Sequence, residues 1–143
     1  MQNFDHKFEN LFLYGDTGVG KTFLSHCIAR ELLRSTHCVL YFSAYDLFDM
    51  MAANSFSRKD TGTDEELIYD CDLLIIDDLG TELTNSFVSS QLFLCLNERI
   101  MRRKSTIIST NLTLKNFSDT YSERTFSRIA SNYQMISLIG KDI

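Results

Sequence analysis

The chain has 143 residues, no proline and a formal net charge of −5. That length corresponds to one domain, and a hydrophobic fraction of 44% is ordinary for a folded core. A net acidic chain excludes a protein that coats nucleic acid through bulk charge, while leaving room for a local nucleic-acid site. Residues 1–9 are polar and mixed in charge, so no secretory leader is read there, and no apolar run is long enough to span a bilayer. The expectation is an intracellular, cytoplasmic protein without membrane contact. The four cysteines, Cys27, Cys38, Cys71 and Cys95, form no C-x-x-C pair and lie mostly in apolar runs, which predicts buried free thiols. His6, His26 and His37 are scattered without metal-ligand spacing.

Taken in chain order, short apolar runs alternate with helical patterns, the signature of a parallel sheet flanked by helices. Asn10–Tyr14 reads as a first strand that enters a glycine loop. A helix is predicted from Lys21 to Arg34, with Leu24, Ile28 and Leu32 spaced four apart as its core stripe. Cys38–Phe42 is a second strand, and Ser43 can cap a helix carrying Leu47, Phe48 and Met51. Asn54 to Gly62 is polar and reads as loop. Leu73–Asp77 is apolar up to its acidic end, as in a strand buried on both faces. A long helix follows from Asn85 to Arg103, with Leu92, Leu96 and Ile100 on one face and Arg102, Arg103 and Lys104 at the dipole's negative end. Thr106–Ser109 is a fourth strand, Glu123–Ala130 a last helix and Met135–Leu138 a fifth strand. With no low-complexity linker, the chain reads as one unit. It starts almost on its first strand and ends on Gly140-Lys141-Asp142-Ile143, which suggests one module of a longer protein.

Gly15-Asp16-Thr17-Gly18-Val19-Gly20-Lys21-Thr22 matches G-x-x-x-x-G-K-[ST] in full. Glycines allow the backbone to curl so that successive N–H groups point at phosphates. The helix opening at Gly20 adds its positive dipole end. In such a loop Lys21 reaches the β- and γ-phosphates of ATP, and the Thr22 hydroxyl is a ligand for Mg2+. The motif follows an apolar strand and opens an amphipathic helix, the context that supports it. Asp72-Leu73-Leu74-Ile75-Ile76-Asp77-Asp78 is an apolar strand tipped by two acids. Adjacent carboxylates repel unless a cation lies between them, and magnesium would be that cation. Asp77 is therefore assigned to the metal, through water, and Asp78 to polarising an attacking water. Asn111, after Ser109-Thr110, stands either as a turn residue or as a polar group reaching between these two motifs.

Phe12-Leu13-Tyr14-Gly15, Leu74-Ile75-Ile76-Asp77-Asp78-Leu79-Gly80, Leu96-Asn97-Glu98-Arg99, Thr106-Ile107-Ile108-Ser109-Thr110-Asn111-Leu112 and Glu123-Arg124-Thr125-Phe126-Ser127-Arg128-Ile129 together run nearly the length of the chain. In these motifs the sequence resembles the DnaC/DnaI branch of AAA+ helicase-loader ATPases. The resemblance implies an α/β fold, the P-loop NTPase (AAA+/ASCE) three-layer sandwich with a five-stranded parallel sheet. It places Asn111 at the sensor 1 position and Arg128 at the arginine finger, which acts on ATP held by a neighbouring subunit. Arg124 and Arg99 are rivals for that role, each expected instead as a surface ion pair. The second acid is Asp where most AAA+ proteins carry Glu, but this branch commonly has Asp. The implied partners are a replicative helicase, engaged by an N-terminal part not seen in this chain, single-stranded DNA, and further copies of the chain itself. A lid domain with a sensor 2 arginine is not seen either. For the DNA, Tyr45, Phe48, Phe56, Arg58 and Lys59 offer aromatics and cations, although Phe48 reads as core and the segment is also rich in acids.

Three other functions are weighed. An IstB-type transposition helper shares nearly every motif and would serve a transposase. A small-molecule or nucleoside kinase needs a substrate pocket and an arginine-bearing lid, which the sequence does not display. A nucleotide-dependent switch with negligible hydrolysis would bind ATP as a scaffold.

Overall fold

A computed structural model describes residues 10–15, 20–34, 38–56, 62–80 and 85–138. Its strands are β1 (Leu11–Gly15), β2 (Val39–Ser43), β3 (Leu73–Leu79), β4 (Ser105–Thr110) and β5 (Gln134–Leu138). They form a parallel sheet in the order β2-β3-β4-β1-β5. Its helices are α1 (Lys21–Arg34), α2 (Ala44–Phe56), α3 (Gly62–Asp70), α4 (Ser86–Met101), α5 (Leu114–Tyr121) and α6 (Glu123–Asn132).

Side chains alternate across a strand, and here the alternation separates two cores. Phe12, Leu74, Ile76 and Ile108 face one way, onto Leu47 of α2, Leu92 and Leu96 of α4, Phe117 of α5 and Ile129 of α6. Their neighbours Leu13, Leu73, Ile75 and Ile107 face the other way, onto Leu24, Ile28 and Ala29 of α1. The result is the expected three-layer sandwich. Residues Leu73 to Ile76 are fully buried, as a central strand covered on both faces requires. Asn10 closes the bottom of the sheet: its side chain accepts from the Thr106 N–H at 2.8 Å and donates to the Asn132 carbonyl at 3.3 Å.

Helix starts follow side-chain capping. The Ser43 hydroxyl accepts from the Asp46 N–H at 3.1 Å, as expected, and Asn85 caps α4 through the Val88 N–H at 2.9 Å. Thr113 and Ser122 cap α5 and α6.

Four expectations need correction. The polar stretch from Asn54 is helical as far as Phe56, because α2 continues through it; residues 57–61 lie outside the described set. Helices α3 and α5 were not anticipated. The four thiols are free, but only Cys71 and Cys95 are buried, while Cys27 and Cys38 are exposed.

Arg99 is the largest departure, since it is neither a finger nor a surface ion pair. It is fully buried, and its guanidinium donates to the Ile68 carbonyl at 2.7 Å, the Ser105 carbonyl at 2.6 Å, the Thr106 hydroxyl at 2.9 Å and the Cys71 sulfur at 3.3 Å. One side chain thereby ties the end of α3 to α4 and to the start of β4. The planar fork of arginine suits such divergent acceptors. Burial away from water pushes the neighbouring Cys95 thiol up to about 12, with Arg99 opposing, so it stays protonated.

Candidate nucleotide site

The carboxyl ends of β1, β3 and β4 meet at one edge of the sheet. Gly15 ends β1 with φ +151°, and a Cβ there would stand 2.1 Å from the Leu138 carbonyl oxygen of β5. Only glycine fits that strand pairing. Gly20 precedes α1 with φ +93° and open space around it, so its requirement is conformational. Lys21 opens α1 and is buried, with its ammonium donating to the Gly15 carbonyl at 3.0 Å. The assignments to Asp16, Thr17, Gly18 and Val19, and to the Thr22 hydroxyl, lie outside the described residues.

The acidic pair sits in an irregularity of β3. Ile76 pairs with Ile108 and Leu79 with Thr110, so Asp77 and Asp78 together oppose the single residue Ser109. Two residues against one is a β-bulge, a device that re-aims side chains. In a regular strand Asp77 and Asp78 would point to opposite faces. Asp77 continues the Leu73–Ile75 series toward α1, while Asp78 takes φ 58°, a left-handed conformation rare for a side chain other than glycine. Both acids can then serve the same end of the sheet. Asp77 is 4% exposed and Asp78 is exposed. Partial burial pushes the Asp78 carboxyl above the usual carboxylate range; the charge of Asp77 pushes the same way and that of Lys21 opposes it.

Two hydroxyls meet Asp77. Tyr41 of β2 donates to Oδ2 and Ser109 of β4 donates to Oδ1. The Ser109 oxygen also accepts the Asp78 N–H at 3.2 Å. Burial, and then the hydrogen bond to Asp77, raise the Tyr41 phenol well above its ordinary range, which keeps it a donor. Neither Tyr41 nor Ser109 was among the residues assigned from sequence. Alternation places each on the α1 face, but only the register across three strands brings them to Asp77.

Asn111 follows the last residue of β4 and is exposed; its neighbour Thr110 is level with Tyr14 of β1 and Leu79 of β3. It thus follows the end of the strand that lies between β1 and β3. Arg128 is exposed on α6, and its Nε donates to the Asn97 side chain of α4 at 2.9 Å. Helix α6 belongs to the layer opposite α1, so Arg128 is not part of the cluster around Lys21. Arg124, also exposed, lies over the Phe93 ring at 3.9 Å in a cation–π contact, with no ion pair to a carboxylate among the described residues. Of the residues weighed for DNA contact, Phe48 is buried core and Tyr45 is exposed. The Phe56 side chain, Arg58 and Lys59 lie outside the described residues.

The chemistry of the donors suits magnesium, a hard cation held by few protein oxygens. The charge of Asp77 disfavours ionisation of Asp78, and a divalent ion beside the pair would relieve this.

A crevice at the carboxyl ends of parallel strands, where the chain leaves β1 toward one edge of the sheet and β5 returns on the other, is where doubly wound proteins bind ligands. With the glycine motif on one strand end and the acidic tip on another, the architecture is that of the P-loop fold of AAA+ type. The chain belongs to the IstB-like ATP binding protein family, whose model matches residues 2–130. It is 34% identical over 127 residues, 87% of its length, to the chromosomal replication initiator protein DnaA of Zymomonas mobilis, of which it covers 25%. It is 29% identical over 140 residues, 94% of its length, to a putative insertion sequence ATP-binding protein of Sinorhizobium fredii, of which it covers 56%. The chain thus spans between a quarter and just over half of these curated relatives. A solved DnaC helicase loader superimposes with a TM-score of 0.84 at 20% identity, covering 96% of this chain and 85% of that one. This likeness supports the AAA+ fold. No described helix is long and apolar enough to cross a membrane.

Proposed function

We propose that this chain binds ATP with magnesium and hydrolyses it when assembled with copies of itself, and that the cycle serves to place a replicative helicase on single-stranded DNA. The observation that carries the ATPase reading is the bulge in β3, which turns two successive acids toward the end of the sheet where Lys21 begins α1. A strained backbone at a strand tip is a feature that functional sites retain. Bound magnesium would neutralise phosphate charge, held by the Thr22 hydroxyl and, through water, by Asp77.

The chain's own groups divide the remaining work. Gly15 to Thr22 cradle the phosphates with backbone N–H groups, and Lys21 reaches the β- and γ-phosphates. Asp78 orients a water and draws on its proton. As that water's oxygen bonds to the γ-phosphorus, the bond to the β–γ bridging oxygen breaks and ADP leaves. Asn111 contacts the water or the γ-phosphate. Arg128 reaches the neighbour's γ-phosphate from the opposite layer, where it rests in its own chain on the Asn97 contact described above.

The helicase-loading half of the reading is supported by the long overlap with the DnaC helicase loader and the motifs shared with its branch. A second reading, a transposition helper acting with a transposase, is favoured by the insertion sequence relative. The two part on the partner: the protein retains either a replicative helicase or a transposase in a binding assay.

The ATPase reading is tested with Asp78→Asn, which keeps shape and loses charge. A fluorescent ATP analogue should bind with wild-type affinity, while phosphate release by the assembled protein falls about 100-fold or more, the scale of a lost general base. Turnover that survives the substitution removes Asp78 from the chemistry. Loss of binding instead reverses the roles of Asp77 and Asp78.

A further inference from the structure

We propose that Tyr41 is a positioning residue for the metal-side carboxylate: from the edge strand, its hydroxyl fixes the plane of Asp77, with Ser109 holding the other oxygen. The inference rests on the ATPase reading above and adds to it residues from the two strands flanking β3.

Asp77 is almost wholly buried, and its two oxygens are gripped separately, Oδ2 by a hydroxyl from β2 and Oδ1 by a hydroxyl from β4. Donors on both oxygens stop rotation about the last side-chain torsion, the one on which a carboxylate is otherwise loosely held. A carboxylate accepts about four hydrogen bonds, and one hydroxyl on each oxygen is enough to set its plane. Ser109 has a second task at the bulge, where its oxygen takes the Asp78 N–H, so replacing it would disturb both acids. Tyr41 offers the cleaner handle.

The phenol is itself well placed. His26 of α1 meets its ring edge-on, with centroids 4.8 Å apart. The ring forms one wall of an open groove of about 560 Å³ shared with His26, Ala29, Arg30 and Arg34. Tyr41 is 40% exposed on the edge strand, so its ring is not a core element whose hydroxyl happens to point at an acid. Phenylalanine would keep the ring, the His26 contact and the groove wall, removing only the oxygen that reaches Asp77. A carboxylate held for metal-bound water works through orientation. Loss of that orientation should therefore appear as a greater demand for magnesium, with the nucleotide's own contacts unchanged.

The test is a magnesium titration of fluorescent ATP-analogue binding to the full chain, for wild type, Tyr41→Phe, Asp77→Ala and the double variant. For Tyr41→Phe, the magnesium concentration at half-effect should rise about three- to tenfold, the equivalent of one hydrogen bond. Affinity measured with the metal chelated should be that of wild type, and the variant should still melt cooperatively, well above the assay temperature. In the Asp77→Ala background the same change should add nothing, since its target is gone. An unmoved or lowered midpoint in Tyr41→Phe overturns the proposal. So does an equal shift in both backgrounds, or a loss of affinity that persists under chelation. If wild type itself shows no magnesium-dependent nucleotide binding, the ATPase reading falls, a result distinct from all of these.

Discussion

Arg99→Ala removes a fully buried guanidinium that serves the carbonyls of Ile68 and Ser105 and the Thr106 hydroxyl. Each buried acceptor left unmade costs about 1–3 kcal/mol, so three give about 3–9 kcal/mol. Relief from burying a charge offsets several kcal/mol of that, leaving a net loss of about 2–5 kcal/mol. A domain of this size is stable by only about 7–20 kcal/mol, so the loss is substantial. At about 2–4 °C per kcal/mol, Tm should fall by about 5–20 °C. Arg99→Lys keeps the charge but not the fork, and should fall between wild type and alanine. Urea unfolding followed by circular dichroism measures the change, and turnover is then compared per folded molecule. An arginine acting on a neighbour's ATP would behave in the reverse way, with turnover lost and stability intact. That outcome, or an alanine variant that unfolds at the wild-type midpoint, refutes the assignment of Arg99 as an internal tie.

Arg128→Ala should leave ATP affinity of the isolated chain unchanged and abolish turnover of the assembly, since trans-acting arginines are worth about 10³–10⁵ in rate in GTPases. Mixing Arg128→Ala with Lys21→Ala should restore activity at junctions that pair an intact loop with an intact arginine; a mixture that assembles yet stays inactive excludes action in trans. The raised Asp78 carboxyl gives a stability prediction with a definite sign. A carboxyl raised in the folded state contributes stability below its unfolded value, near 3.9, and loses it as pH rises through the raised folded value. At pH 7 the charged group therefore works against the fold, so Asp78→Asn should raise the nucleotide-free Tm there, with the gain shrinking toward pH 4. A variant that melts lower at pH 7 contradicts this.

The sheet was legible because each strand is a short apolar run and each long helix carries a four-residue stripe. Leu92, Leu96 and Ile100 mark α4 without any tertiary information. The glycine motif and the acidic pair are contiguous in sequence, so both can be read as motifs without tertiary information. Helix α5 was missed although Leu114, Phe117 and Tyr121 lie on one face and Thr113 caps it, because eight residues give the pattern little length to show itself. Helix α3 offers less still, with Ile68 its deeply buried apolar residue before Cys71. Arg99 looked like a helix-surface charge because two of its partners, Ile68 and Cys71, lie about 30 residues upstream. Tyr41 and Ser109 escaped for another reason: alternation tells which face a strand residue takes, but not which residue of the next strand lies beside it.

The glycine that opens the loop has a further meaning for how such chains diverge. Gly15 is held to its identity by the Leu138 carbonyl, a constraint of strand pairing that exists whether or not nucleotide ever arrives. Gly20, with open space around it, is held by its left-handed φ alone, and Lys21, on the proposed function, by the phosphates it would meet. Descendants that abandon ATP should therefore erode unevenly, shedding the lysine early while the first glycine persists as a relic of the sheet. Within this lineage, a retained glycine at that position is evidence of a folded module and says nothing of a working one.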